Sequence, residues 1–209
     1  LDDDGPAFGS PGLEPRWTSS SKDAVSTAYA ASSRVWFTIS HGILNDSYYP
    51  TIDRPQTRDM ELLFTDGETC CHEEKRDFNY DLHYIHPNAP ALRVVAADPR
   101  GRYTVTKEFI SDPHRPSVLM HVKITGDEQI LSRLKCYALL APHLDGGGAG
   151  NSGRSIEVAG QRCLLAWKGN HSLAMGASCG FTRSSCGYVG SSDGYQDLAT
   201  NMSMDWHFG

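Results

Sequence analysis

Alternation of apolar and polar residues is the main pattern of the chain from residue 34 onward. The first run covers residues 35–39, and a second alternates at Met60, Leu62 and Phe64. Turn residues such as Asp66 and Gly67 separate the runs. Strands that bury one face have this two-residue period, so the pattern predicts an all-β protein.

Further alternating runs follow along the rest of the chain. They cover residues 103–109, 118–124, 134–140, 155–158, 163–167, 173–177 and 202–208. The runs at 118–124 and 134–140 are expected to be antiparallel neighbours. About a dozen strands without crossover helices predict two large antiparallel sheets packed face to face, a β-sandwich. A closed barrel is the alternative, because its strands alternate in the same way.

The N-terminal segment differs from the rest in composition. Residues 1–33 are rich in Gly, Pro, Ser and Asp, and Pro6, Pro11 and Pro15 interrupt any regular pattern. We expect an extended arm here, with a short helix over residues 22–31 after Ser21. The β-sandwich domain is then expected over residues 34–209.

Composition and charge exclude several classes of protein. The chain has 209 residues, 39% of them hydrophobic, which is enough for a sizeable core. Its net charge of -6 argues against a nucleic-acid partner, which requires basic residues. No apolar run approaches the length of a membrane span, and the acidic N-terminus is unlike a signal peptide. Bacterial cytoplasm, periplasm and the secreted state all remain open.

Two motifs for catalysis or metal binding are weak. Residues 190–194 fit G-x-S-x-G, but the helix that this motif requires is not expected after them. A polar loop is the better interpretation. His83 and His86, near Cys70, Cys71 and His72, match no metal-ligand spacing, and strand residues three apart point to opposite faces. We therefore predict free thiols, no metal and no cofactor.

Two polar regions are better candidates for a binding surface. The segment 41–59, expected to be a loop, mixes aromatic and charged residues that suit a sugar or a domain interface. Its candidates are Tyr48, Tyr49, Asp53, Arg54, Arg58 and Asp59. A self-satisfied, salt-bridged loop is an equal alternative. Further candidates are His143 and Asn151 around the glycine-rich residues 146–153, and Asp193 and Gln196 in the segment 190–198.

Several segments of the sequence resemble one family over nearly the whole chain. They are residues 33–44, 48–50, 58–59, 66–67, 72–76, 98–103, 106–108, 139–144, 148–151 and 190–198. Among them are Tyr48-Tyr49-Pro50 and Leu139-Leu140-Ala141-Pro142-His143-Leu144. The sequence resembles the N-terminal domain of bacterial glucoamylases and glucodextranases, which are glycoside hydrolases of family fifteen.

The resemblance implies a large β-sandwich, a super-sandwich related in shape to galactose mutarotase, that precedes a catalytic (α/α)6 barrel. In the family, two glutamates of the barrel release glucose from α-glucans with inversion. We expect that pair to be absent from these 209 residues. The resemblance thus implies a non-catalytic domain that packs on and supports the barrel, and that meets α-glucan only through it.

Two other functions remain open, a free-standing carbohydrate-binding module and an aldose mutarotase-like enzyme. The second would need its own acid and base, for which His121 and His143 are available, but no glutamate is matched to either. We expect residues 41–59 and 190–198 to contact the barrel rather than form a separate carbohydrate site. The four tryptophans lie mostly in strand-like patterns, where burial is expected.

Overall fold

The computed structural model describes residues 4–17 and 21–209. Within these ranges the chain forms thirteen β-strands, three short α-helices and one 3-10 turn. It divides into two compact units. We call Thr18–Ala141 the sandwich unit, and Leu1–Trp17 together with Pro142–Gly209 the terminal unit. The domain boundary at residue 34 stays a prediction, because a compact unit of the structure is not necessarily a segment that folds on its own.

The sandwich unit contains two antiparallel sheets and two single-turn helices. In chain order its elements are β1 (Ala24–Thr27), β2 (Trp36–Ser40), β3 (Ile43–Tyr48), β4 (Thr57–Thr65), β5 (Cys71–Glu73), α1 (Glu74–Asp77), β6 (Asn79–His86), β7 (Ala89–Ala97), β8 (Tyr103–Ser111), β9 (Val118–Gly126), α2 (Glu128–Leu131) and β10 (Lys135–Pro142). One sheet has the order β1-β2-β3-β4-β10, with β5 paired to β4. The other has the order β6-β7-β8-β9.

The core of the sandwich unit lies between these sheets. Phe37 of β2 and Phe109 of β8 are fully buried, and their ring centroids are 6.2 Å apart. The other buried residues of the cluster come from the two sheets, except Phe78, which lies between α1 and β6: Ala24, Ile39, Leu44, Leu62, Phe64, Phe78, Leu92, Val94, Ala96, Tyr103 and Val105. Seven of the thirteen core residues are apolar positions of the predicted alternating runs, namely Phe37, Ile39, Leu62, Phe64, Tyr103, Val105 and Phe109, whereas the other six lie outside those runs. The prediction of an all-β, antiparallel β-sandwich is therefore confirmed.

The expected pairing of two long strands is wrong. β9 pairs with β8, whereas β10 belongs to the other sheet, next to β4. The chain changes sheet through α2, whose N-cap residue Asp127 accepts a hydrogen bond from the Gln129 backbone N–H at 2.8 Å. Alternation identifies strands but carries no information on which strands are neighbours.

The helix expected over residues 22–31 is also wrong. β1 occupies part of this segment and pairs with β2, with Ala24 opposite Ile39. Ala24 and Ser26 are buried, while Val25 is 50% exposed. This is a two-residue period, which a strand satisfies and a helix does not.

The terminal unit has one small sheet and one helix among its described residues. The sheet contains β11 (Ser152–Val158), β12 (Gln161–Lys168) and β13 (His171–Met175), all antiparallel. The helix is α3 (Gly194–Asn201), and a 3-10 turn covers Leu144–Gly146. No helix in the described ranges is both long and apolar enough to cross a membrane.

The strand expected over residues 202–208 is not formed. Met204 and Phe208 are buried, as their alternation predicts, but the backbone is irregular. The N–H groups of Asp205 and Trp206 each donate to Asp197 Oδ2 of α3 at 2.8 Å. A side chain takes the place of a neighbouring strand, which an alternation pattern does not reveal.

Candidate functional site

The first set of candidates lies on two strands and one loop of the sandwich unit. The prediction of a loop over residues 41–59 is wrong at nine of its nineteen positions, because β3 covers residues 43–48 and β4 begins at residue 57. The connecting loop is residues 49–56. Asn45 and Asp46 of β3 are only 1% and 4% exposed. Polar residues at buried strand positions made this segment look like a loop in the sequence.

Asp46 holds Tyr48 in place. Asp46 was not among the candidates from the sequence pattern. Asp46 Oδ2 accepts hydrogen bonds from Tyr48 Oη at 3.1 Å, Asn45 Nδ2 at 3.1 Å and Thr38 Oγ1 at 3.3 Å. Lys22 forms an ion pair with the same oxygen. Burial, together with the charge and hydrogen bond of Asp46, raises the pKa of Tyr48 to about 12. Tyr48 is thus a neutral residue bonded within the chain.

The loop after β3 is fixed by its own backbone. Tyr49 N–H donates to Arg54 O at 3.1 Å, and Gln56 Nε2 donates to Tyr49 O at 2.7 Å. The Asp53 and Arg54 side chains are exposed. A hydrogen bond from the Thr51 side chain lowers the pKa of Asp53. The loop therefore presents one acidic and one basic side chain to solvent.

Arg58 and Asp59 form ion pairs inside the sandwich unit. Arg58 Nε lies 3.2 Å from Asp59 Oδ2, and Lys75 Nζ lies 2.8 Å from the same oxygen. Asp59 is 1% exposed. On the same face of β4, burial first, and then the charges of Glu73 and Asp59, raises the pKa of Glu61 to about 8. Asp59 is therefore satisfied by ion pairs within the chain, whereas Glu61 is buried next to like charges.

A second pair of charged residues, which the pattern also missed, lies in the core of the sandwich unit. Lys107 and Glu74 are 1% and 2% exposed, and Lys107 Nζ lies 2.7 Å from Glu74 Oε1. Lys107 also donates to Gly42 O at 2.7 Å, and Leu62 N–H donates to Glu74 Oε2 at 3.0 Å. Lys107 occupies a buried position of β8, between Val105 and Phe109. The alternation of β8 was the available signal for its burial.

Asn151 organises the glycine-rich loop of the terminal unit. Its Oδ1 accepts from Leu144 N–H at 3.2 Å, and its Nδ2 donates to Gly147 O at 2.9 Å and Pro142 O at 3.3 Å. Lys168 Nζ also donates to Gly147 O, at 3.3 Å. Both ends of the Asn151 amide group are thus used to close the loop.

His143 is buried next to this loop. It is 5% exposed, and its ring centroid lies 4.7 Å from that of Trp17 in an edge-on contact. A Cβ atom on Gly148 would come within 2.5 Å of His143 Nε2, so the loop packs closely on the ring. Such a histidine is a packing residue of the loop, and its ring is not open to a ligand of sugar size.

Asp193 and Gln196 lie at the beginning of α3. Asp193 is the N-cap residue and accepts hydrogen bonds from Tyr195 N–H at 2.9 Å and Gln196 N–H at 3.0 Å. The expectation that no helix follows residues 190–194 is therefore wrong. The N-cap aspartate was the signal, since capping residues precede helices too short to show an apolar period.

Ser192, at the nucleophile position of G-x-S-x-G, is a structural residue. It is 0% exposed. Its Oγ donates to Phe8 O at 2.7 Å and accepts from Tyr188 N–H at 3.0 Å. A serine with this burial and these partners is not accessible to a substrate.

The residues considered as metal ligands differ in their surroundings. His83 and His86 are exposed on β6, and His72 Nδ1 lies 2.9 Å from Tyr103 Oη. Among the described residues, no group of three or more His, Cys, Asp or Glu side chains is arranged to hold a metal ion. The six cysteines are free thiols. That the protein binds no metal stays a prediction.

Comparison with known proteins first defines the class, an antiparallel β-sandwich domain. A bacterial glucoamylase complexed with acarbose matches the structure with a TM-score of 0.94 and 30% identity, over 97% of this chain and 30% of that chain. The glucoamylase of Clostridium sp. (strain G0005) is 31% identical over 202 residues, which are 97% of this chain and 29% of the relative.

A family match makes the assignment specific. Residues 7–209 match the family described as glucodextranase, domain N. The chain therefore belongs to the glucodextranase domain N family, and the resemblance found in the sequence is confirmed. It spans less than a third of the length of the glucoamylases it matches.

Proposed function

We propose that this chain is the non-catalytic N-terminal domain of an α-glucan exo-hydrolase. In this proposal it packs on a catalytic (α/α)6 barrel of the same polypeptide and supports it. The strongest support is the match of residues 7–209 of this chain to glucodextranase domain N. The chain is also similar to a longer relative named glucoamylase, of which it covers 29%.

The chemistry of the candidate residues supports a non-catalytic role. Inverting hydrolysis needs two carboxyl groups on opposite sides of the glycosidic bond, with room for a water molecule. Asp59 is buried in ion pairs with Arg58 and Lys75, and Asp193 caps α3. Neither carboxylate is available as a general acid or base.

Glucose release from maltooligosaccharides tests this part of the proposal. The purified 209-residue chain should give background rates, and Asp59→Asn and Asp193→Asn should leave them unchanged. Turnover that disappears when one of these carboxylates, or another of the chain, is replaced by its amide would overturn the proposal.

The contact with the barrel is proposed for the segments 48–59 and 190–198. Polar side chains on a rigid scaffold suit an interface between domains, and Asp53 and Arg54 are suited to it because both are exposed and carry opposite charges. Tyr48, Asp59 and Asp193 would act by keeping these segments in shape.

Thermal unfolding of a polypeptide that carries both the domain and the barrel tests this contact. Replacing Asp53 and Arg54 by alanine should lower the barrel's Tm by a few degrees and leave that of the 209-residue chain unchanged. The matched control replaces Asp81 and Lys123, which are exposed on the other sheet. Equal shifts in both variants, or none in either, would contradict the proposed contact.

A further inference from the structure

The tryptophans are more accessible than the alternating pattern predicts. Trp17 and Trp167 are 47% and 37% exposed, and Trp36 and Trp206 are half-buried. The expectation of burial is therefore wrong. Buried tryptophans were the reason for excluding a carbohydrate site on this domain. Because aromatic side chains are accessible, that reason does not hold.

Trp36 lines a groove in the sandwich unit. The groove has a volume of about 340 Å³ and lies between the end of β1 and the start of β2. Its lining residues are Thr27, Ala28, Tyr29, Ala30, Ala31, Arg34 and Trp36. This volume is at the lower end of the range for small-molecule sites, and a specific protein interface needs a much larger surface.

Hydrogen bonds hold the connection between β1 and β2, which lines the groove, in shape. Ser33 is 1% exposed, and its Oγ donates to Arg115 O at 3.2 Å. Ser32 Oγ donates to Pro113 O at 2.6 Å, and Thr27 Oγ1 donates to Val35 O at 2.7 Å. These bonds tie the connection between β1 and β2 to its neighbours. A ligand would therefore meet a preorganised surface, which lowers the entropic cost of binding.

The groove combines aromatic faces with one planar cation. Tyr29 is 85% exposed and is flanked by small alanines, so its ring is open to a ligand. Arg34 is exposed, and its guanidinium lies 5.6 Å from the Tyr49 ring centroid, with Nη2 at 3.4 Å from Tyr49 Oη. Arg34 is the one charged residue of the lining, and it offers several donors to hydroxyl groups.

We propose that this groove is a non-catalytic binding site for a neutral α-glucan oligosaccharide. A pyranose ring has an apolar C–H face, which stacks on Trp36 or Tyr29, and an edge of hydroxyls, which accept from Arg34. The choice of an α-glucan rests on the proposed function of the domain. A shallow single groove gives weak affinity, with a dissociation constant of about 1 mM.

NMR titration of the 209-residue chain with maltopentaose tests the proposal. We expect saturable shifts of the Trp36 indole and of the backbone amides of residues 28–31. Tyr29→Ala should weaken binding about tenfold and leave the fold intact, because the Tyr29 ring is 85% exposed. Arg34→Met should weaken it similarly. The matched control is Tyr84→Ala, at a 55% exposed tyrosine on β6, which should leave binding unchanged.

Three results would overturn the proposal. They are the absence of saturable shifts in the wild-type chain, unchanged binding by both groove variants, and an equal loss in Tyr84→Ala. If Tyr29→Ala lowers the Tm of a barrel-containing polypeptide and leaves the affinity of the 209-residue chain for maltopentaose unchanged, the groove binds protein and not sugar. Glucose release measured in separate samples reports on the proposed function: hydrolysis would refute the proposed non-catalytic function, whereas the absence of saturable shifts would refute the groove site.

Discussion

The sandwich unit and the terminal unit are stabilised in different ways. In the sandwich unit, thirteen buried apolar residues form one core, twelve of them from the two sheets. In the described part of the terminal unit, the buried apolar residues are Leu144, Ala166, Leu198, Met204 and Phe208. There, Asn151, Ser192 and Asp197 bind backbone groups through their side chains. An alternating sequence therefore identifies the first kind of unit, while the second depends on individual polar residues.

The largest effect is expected from breaking the ion pair in the core of the sandwich unit. Lys107→Met removes the partner of Glu74 and leaves a buried carboxylate without its cation. We expect the free energy of unfolding to fall by about 3–5 kcal/mol, because an isolated buried charge is strongly unfavourable. Urea denaturation measures this loss, and amide exchange in β7 and β8 locates it in the sandwich unit.

The double variant Lys107→Met with Glu74→Gln separates the pair from the packing around it. Without either charge, most of the lost stability should return, because a neutral side chain costs less to bury than a lone carboxylate. If the double variant is as unstable as Lys107→Met, the defect is one of packing and the ion pair is not its cause.

Much of the sandwich unit follows from the sequence. The apolar runs at residues 35–39 and 60–64 place Phe37, Ile39, Leu62 and Phe64 in the core, as alternation requires. The neighbours of β9 and β10 did not follow, because strand pairing depends on contacts far apart in the chain. Lys107 was overlooked because a charged residue at an inward position is rare.

The candidate residues were harder to interpret from sequence than the core. Tyr48, Asp59 and Asp193 all stand in polar stretches, yet each is bonded within the chain to Asp46, Lys75 or the start of α3. A polar residue that binds a partner and one that stabilises its own loop look alike in sequence. Only the positions of the donors and acceptors separate the two cases.

The terminal unit should lose stability locally when Asp197 is replaced. Asp197→Ala removes the acceptor for the N–H groups of Asp205 and Trp206. Hydrogen bonds to a charged group contribute more than neutral ones, so we expect a loss of about 1–3 kcal/mol. Amide exchange should accelerate at Asp205 and Trp206. Glu157→Ala, at an exposed residue of β11, is the control, and unchanged exchange in Asp197→Ala would show that these bonds do not stabilise the segment.

Glu61 gives the sandwich unit a pH dependence that the sequence does not suggest. Its pKa in the folded state, about 8, lies above the ordinary value of 4.5, so the folded state retains the proton to a higher pH than the unfolded state does. The contribution of Glu61 to stability is therefore fully present below pH 4.5 and is lost as pH rises through about 8. Glu73, Asp59 and Lys75 are the charges that face it.

Glu61→Gln tests this dependence because glutamine resembles the protonated acid. At pH 5 we expect the variant and the wild type to be nearly equal in stability. At pH 9 the variant should be more stable by about 1–2 kcal/mol, since it has no buried charge to create. Urea denaturation at both values measures the difference. A gap that is the same at pH 5 and pH 9 would contradict the assignment.

The smallest effect is expected at the start of α3, where a capping residue and an interface residue can be distinguished. Asp193→Ala removes the cap of the Tyr195 and Gln196 N–H groups and should cost about 1 kcal/mol. Asp193→Asn keeps an acceptor oxygen and should retain most of that stability while losing the charge. If Asp193 acts only as a cap, Asp193→Asn should also leave the Tm of a barrel-containing polypeptide unchanged. A lower barrel Tm in Asp193→Asn, with normal stability of the 209-residue chain, would instead show that the charge of Asp193 contacts the barrel, and that a residue of the terminal unit can serve both roles.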